Sequence, residues 1–175
     1  MSDKKLLNNF CQELNMGSFL AYYQSLTKFV INNPEEFNDE VRSAWGLEEL
    51  ISIDPRKYLV DQPDLCLKME AKRLSGKHKS IDTLAMSIRD TLWDRVTIYS
   101  GKDCPITPEN ELRFIKIVYE NNSDRILLEC SECGWTEDIQ GNQYQGPIGK
   151  VFPVTIDEVE NTYDNIRGSI DKRKK

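Results

Sequence analysis

The chain has 175 residues and is therefore long enough to bury a core. Of these residues, 39% are hydrophobic and 30% are charged. Its formal net charge of −6 disfavours direct binding to nucleic acid through phosphate neutralisation and favours a basic partner. No run approaches the roughly 20 apolar residues of a membrane-spanning helix, and residues 1–10 lack the apolar core of a signal peptide. The five cysteines are an odd number, which argues for a reducing compartment, so we expect a cytoplasmic protein without membrane association.

Capping residues and helical periodicity mark the beginning of the chain. Ser18 precedes apolar residues at the three-four spacing and predicts the cap of an amphipathic helix. Asn33 before Pro34 predicts the cap and the first residue of the next helix. The buried stripe of that next helix would be Phe37, Val41, Ala44 and Trp45.

Three further stretches of the first half are also read as helices. Ser2 predicts the cap of a helix over residues 2–16, and another helix is expected after Pro63. Residues 72–79 are basic and centred on a glycine, which predicts a loop. Ser80 then predicts the cap of a helix over residues 81–93.

From residue 94 onward the apolar period changes from 3.6 toward 2, which predicts strands. Residues 94–100 predict the first strand. Residues 114–119 and 126–130 flank the polar cluster 121–124 and predict a hairpin. Residues 136–139 predict a short third arm of that hairpin.

The C-terminal region begins with Thr155 and Glu158, which have the spacing of a capping box and predict a helix. The fold class that follows is α+β. We predict a single α+β domain over residues 1–175, with a helical half (1–93) packed on a small antiparallel sheet (94–154) and a C-terminal helix (155–170).

Cys130 and Cys133, followed by Gly134 and Trp135, have the spacing of one knuckle of a zinc ribbon. A closed zinc site needs four ligands, and none of the remaining candidates forms a second knuckle. Those candidates are Cys11, Cys66, Cys104 and His78.

Two other interpretations of the Cys-x-x-Cys motif are open. Redox catalysis would need the motif at a helix N-terminus, whereas Gly134 follows at once and acidic neighbours oppose a thiolate. The favoured interpretation has Cys130 as a small apolar core residue and Cys133 in a turn, with no cofactor. A zinc-stabilised protein-interaction module that uses Cys130 and Cys133 is the alternative.

Charge is unevenly distributed along the chain. Residues 126–166 contain eight acids and one base, a net charge of −7, whereas residues 56–79 have a net charge of +4. Exposed aromatics ringed by carboxylates suit a basic protein partner, although a solvated face with core aromatics has the same composition. The residues that we expect to bind a partner are Glu132, Trp135, Glu137, Asp138 and Tyr144.

Residues 126–141, with the sequence ILLECSECGWTEDIQG, occur in a small acidic α+β chain. With this stretch and this acidic α+β character, the chain resembles immunity proteins of bacterial toxin–immunity systems, of the contact-dependent growth-inhibition type. The resemblance implies a protein that is not an enzyme and that binds and blocks a basic toxin domain, such as a nuclease, in the cytoplasm. An enzyme with an unrecognised carboxylate site is the third hypothesis, because 29 acids allow many pairs and no motif selects one.

Overall fold

A computed structural model describes residues 17–58, 80–147 and 149–162. The chain divides into two compact units, Met1–Arg95 and Val96–Lys175. Within the described ranges, no helix has the length and apolar character needed to cross a membrane.

Some predicted elements lie outside the described residues. These are the helix over residues 2–16, the helix and basic loop between residues 59 and 79, and the part of the C-terminal helix beyond residue 162.

The described part of the first unit is helical, as its periodicity predicts. Ser18 caps the first helix through its hydroxyl, which accepts a hydrogen bond from Ala21 N at 3.1 Å. Ser80 does the same for the last helix, accepting from Thr83 N at 3.3 Å. The elements are α1 (Phe19–Asn32), α2 (Asp39–Ala44), α3 (Leu47–Ile51), a 3-10 turn (Pro55–Lys57) and α4 (Ile81–Val96).

The predicted helix start at Asn33 and Pro34 is wrong. The Asn33 side chain instead closes α1, donating from Nδ2 to the Phe29 carbonyl at 2.7 Å. Asn38 is the cap that begins α2, because its side chain accepts from Val41 N at 3.0 Å. The predicted buried stripe is confirmed only in part. Phe37 is buried, Val41 and Trp45 are partly buried, and Ala44 is exposed.

Aromatic side chains fill the core of the first unit. Phe29 and Phe37 pack edge to face with their ring centroids 5.8 Å apart. The Tyr23 hydroxyl donates to the Leu50 carbonyl at 2.7 Å, so its polar end is satisfied inside the core. Burial, and then the neighbouring Tyr58, raise the pKa of the Tyr23 phenol above its ordinary value.

The second unit is built on an antiparallel sheet followed by a helix. Strand β2 is central, with β3 along one side and both β1 and β5 along the other, while β4 pairs with β3. The predicted hairpin and its third arm are confirmed as β2, β3 and β4. The elements are β1 (Tyr99–Asp103), β2 (Glu111–Val118), β3 (Asp124–Glu129), β4 (Thr136–Glu137), β5 (Lys150–Pro153) and α5 (Ile156–Thr162).

The predicted first strand over residues 94–100 is misplaced, because α4 continues to Val96 and β1 ends at Asp103. Gly101 explains the difference. Its φ of +80° is a conformation that disfavours a side chain, and it lies where the β1–β2 register is irregular. A glycine that suggests a loop in the sequence therefore lets β1 continue, with Gly101 N donating to Glu111 Oε1 at 2.5 Å.

The two faces of the sheet carry different apolar clusters, because successive residues of a strand alternate sides. One face carries Phe114 and Leu128, which pack with Val159 of α5. The other carries Ile115, Ile117 and Leu127.

Candidate metal centre

Strand direction brings two cysteines of the second unit to the same end of the sheet, where strands β1 and β3 finish. Strands β1 and β3 are both antiparallel to β2, so they run in the same direction, and both end beside the start of β2. Cys104 comes directly after the last residue of β1, and Cys130 directly after the last residue of β3. The sheet therefore places the loops that begin with these cysteines side by side.

Cys104, Cys130 and Cys133, the cysteine cluster, have their Sγ atoms within 4.8 Å of one another. The Cys104 and Cys133 sulfurs are 3.5 Å apart. A tetrahedral zinc ion with Zn–S bonds of about 2.3 Å separates its sulfur ligands by about 3.8 Å, so these separations suit a single ion. Cys104 and Cys130 are buried and Cys133 is exposed, which gives the cluster one side toward solvent.

The first loop, residues 104–107, directs backbone donors at a sulfur. The amides of Ile106 and Thr107 both donate to Cys104 Sγ at 3.4 Å. The loop is closed where Cys104 N donates to the Asn110 carbonyl at 2.8 Å. Burial raises the pKa of the Cys104 thiol, but the hydrogen bonds from Thr107, Ile106 and Cys133 outweigh it and lower the pKa to about 6.

The second loop, residues 130–135, is a tight turn that folds back on its strand. Gly134, with φ of +72°, donates from its amide to the Cys130 carbonyl at 3.0 Å, and Cys130 N donates to the Trp135 carbonyl at 2.8 Å. At Cys133, the backbone of Trp135 lowers the thiol pKa, but burial and the neighbouring thiols prevail and raise it. The two neighbouring thiols are thus shifted in opposite directions, the pKa of Cys104 downward and that of Cys133 upward.

Sequence reasoning found one half of this cluster and missed the other. Cys130 lies in the core cluster with Leu128, and Cys133 lies in a turn, as predicted. Cys104 is only one of several candidate ligands in the sequence, because the strand predicted over residues 94–100 ends well before it, whereas β1 ends at the residue directly before it. The signal that could have found it is the strand-end position that Cys104 shares with Cys130. Of the other candidate ligands, Cys11, Cys66 and His78 lie outside the described residues.

The predicted partner-binding acids have different environments. Glu132 is exposed, whereas the side chain of Glu137 is only 2% exposed. The Glu137 carboxylate accepts from Trp135 Nε1 at 2.9 Å and pairs with the ammonium of Lys102. Asp138 closes a turn by accepting from the amides of Gln140 and Asn142 at 2.9 Å each. The Asn142 side chain, and then these amides, hold the pKa of Asp138 below its ordinary value.

The structure does not bring the two predicted aromatics into one exposed patch. Trp135 is partly buried against the Phe114–Leu128 face of the sheet, and Tyr144 is partly buried against the opposite face. The Tyr144 hydroxyl lies 2.6 Å from that of Tyr119 and donates to the Pro147 carbonyl at 2.9 Å. Trp135 therefore lies on the side of the cysteine cluster, and Tyr144 does not.

Comparison with known proteins assigns this geometry to no family. No protein-family model, no curated protein and no solved structure matches this chain.

Proposed function

We propose that residues 96–162 form a metal-stabilised protein-binding module in which Cys104, Cys130 and Cys133 hold a zinc ion. The observation that supports it is the convergence of three thiols from two strand ends. Thiolates are ligands that zinc prefers, and a cluster within 4.8 Å needs little rearrangement to bind one ion.

The ion would add stability where the sheet is short. Strand β4 has two residues and β1 pairs with β2 at an irregular register, so few strand-pairing bonds hold these two strands, which lie at opposite ends of the strand order. A zinc ion that joins the ends of β1 and β3 would stabilise the folded state and not the unfolded one, because the unfolded chain does not hold the three thiols together.

The surface beside the cluster suits a protein partner. Pro105 and Cys133 are exposed, and the side chain of Ile106, between Cys104 and Thr107, is 60% exposed. A metal would hold this loop in one conformation. The exposed isoleucine could therefore contact a partner with little further loss of conformational entropy.

The test is metal analysis of the full chain purified without chelator, together with thermal unfolding. We expect one zinc per chain and a fall in Tm when a chelator removes it. Cys130→Ser should abolish metal retention. Ser131→Ala is the matched control, because it changes an exposed residue of the same turn and leaves every thiol in place. A chain that takes up no zinc after reconstitution under reducing conditions would overturn the proposal.

Neutralisation of a basic toxin domain is a second candidate, favoured by the charge of the same unit. Residues 96–162 contain twelve acids and five bases, a net charge of −7. At least three of the bases are held in ion pairs within the unit: Lys102 with Glu137, Arg113 with Glu129, and Lys116 with Glu158. The exposed acids that remain, Glu132 among them, would steer a basic protein toward this surface.

Tagged full chain captured from its source organism tests this candidate by native mass spectrometry. We expect a basic protein at one-to-one stoichiometry, with an association rate that falls as salt rises and falls again in Glu132→Lys. An affinity that responds neither to salt nor to this charge reversal would remove the acidic surface from consideration.

A further inference from the structure

Thr107 has the sequence position that the fourth cysteine of a four-cysteine zinc site would have. It follows Cys104 by three residues, as Cys133 follows Cys130. Its Oγ1 lies 3.2 Å from Cys130 Sγ and 3.8 Å from Cys133 Sγ. Its amide donates to Cys104 Sγ at 3.4 Å, so Thr107 contacts every sulfur of the cluster.

A threonine hydroxyl is a poor substitute for the missing thiolate. Structural zinc sites use thiolate, imidazole or carboxylate ligands, and a neutral hydroxyl is none of these. The hydroxyl can instead donate a hydrogen bond to a sulfur, as its 3.8 Å contact to Cys133 indicates. Thr107 thus borders the cluster without supplying a charged ligand, which leaves the fourth coordination position of the metal without a protein thiolate.

We infer that this metal site has three protein thiolates and a fourth position, beside Thr107, that is open to an external nitrogen or sulfur donor. The inference rests on the proposed metal site and goes beyond it, because a purely structural zinc site is closed by four protein ligands. The open position makes the site able to bind a histidine or cysteine side chain of a partner, or a small ligand of the same chemistry.

Access to the fourth position is on the exposed side of the cluster. Cys133 is exposed, as are Pro105 and Ile106 in the loop that carries Thr107. Cys104 and Cys130 lie on the other side, in the core with Phe114 and Leu128. An external donor can therefore approach from solvent without disturbing the sheet.

Cobalt(II) replaces zinc in thiolate sites and reports its ligands by visible absorption, so the full chain is reconstituted with cobalt and titrated with imidazole. We expect imidazole to shift the ligand-field bands of the wild-type protein. Thr107→Cys, which supplies a fourth thiolate, should show no shift. Thr107→Val, which keeps the shape and removes the hydroxyl, should shift as the wild type does.

The outcomes separate this inference from the proposal beneath it. Absence of cobalt absorption in wild type and Thr107→Val alike would overturn the metal site itself. A wild-type spectrum that ignores imidazole, while cobalt is bound, would overturn the open position alone. A shift seen in Thr107→Val and absent in wild type would make Thr107 itself the fourth ligand, which also contradicts the inference. If Thr107→Cys does not fold, the other two proteins still decide.

Discussion

At the scale of single residues, Glu137 is the one buried charged residue among the described residues of the second unit. Its carboxylate is buried between the Lys102 ammonium and the Trp135 indole N–H. Burial of a carboxylate is unfavourable unless the charge is paired and hydrogen-bonded, and both conditions are met here. The ion pair with Lys102 joins β4 to β1.

Replacement of Glu137 by Gln should therefore destabilise the protein. The neutral amide cannot form an ion pair with Lys102, and its NH2 group cannot accept a hydrogen bond where a carboxylate oxygen does. We expect a loss of about 1–3 kcal/mol in the free energy of unfolding, measured by urea denaturation. Glu132→Gln is the matched control, an exposed acid five residues away, and should change stability by less than about 0.5 kcal/mol. Equal urea midpoints for the two variants would contradict a structural role for Glu137.

At the scale of elements, the N-terminus of α5 is fixed both locally and to the sheet. Thr155 N donates to Glu158 Oε2 at 2.8 Å, and Glu158 N donates to Thr155 Oγ1 at 3.2 Å, which confirms the predicted capping box. The other carboxylate oxygen of Glu158 accepts from Lys116 Nζ of β2 at 2.5 Å. Burial raises the pKa of Glu158, but Lys116 and Thr155 outweigh it and hold the pKa below its ordinary value of 4.5.

This lowered pKa predicts a pH dependence of stability. A carboxyl group with a lower pKa in the folded state stabilises the protein above its unfolded pKa of about 4.5, and that stabilisation is lost as the pH falls through the folded value. Glu158→Gln should reduce the free energy of unfolding at pH 7 by about 1 kcal/mol and flatten its decline below pH 4.5. The measurement is the urea midpoint against pH. Glu160→Gln in the same helix should keep the wild-type decline, and a parallel decline in Glu158→Gln would exclude Glu158 as its source.

The elements that the sequence predicts correctly are those fixed by neighbours in the chain. The capping box and the hairpin around residues 121–124 depend on contacts a few residues apart. Strand β1 depends on pairing with β2 and on a glycine that takes a positive φ inside a strand, and neither is visible in the periodicity. Asn33 and Asn38 are equally good caps by residue type, and the sequence does not show that the Asn33 side chain bonds to the end of α1 while that of Asn38 begins α2.

The cysteine cluster follows the same division. Cys130 and Cys133 form a local motif and could be singled out from the sequence. Cys104 joins them because β1 and β3, on opposite sides of β2, both end beside the start of β2, a consequence of strand order and direction. Thr107 has the spacing of a second knuckle, but threonine is not a usual zinc ligand, so its importance depends on which atoms surround its hydroxyl.

At the scale of the whole molecule, the single domain over residues 1–175 stays a prediction. The structure contains two compact units, Met1–Arg95 and Val96–Lys175. The cysteine cluster, the Glu137 contacts and the capping box all belong to the second unit. A chain that unfolds as one cooperative domain and a chain of two independent units respond differently when the second unit alone is perturbed.

Hydrogen exchange of the full zinc-loaded chain, with and without a chelator, distinguishes these behaviours. Metal removal should increase amide exchange in the loops at residues 104–107 and 130–135 and in the adjoining ends of β1 and β3, because the proposed ion joins these segments. Protection of α1 should stay unchanged if the units are independent. Loss of protection in α1 together with β1 would show instead that the chain is one cooperative domain, as the sequence-based prediction has it. Unchanged exchange throughout would contradict a stabilising role for the metal.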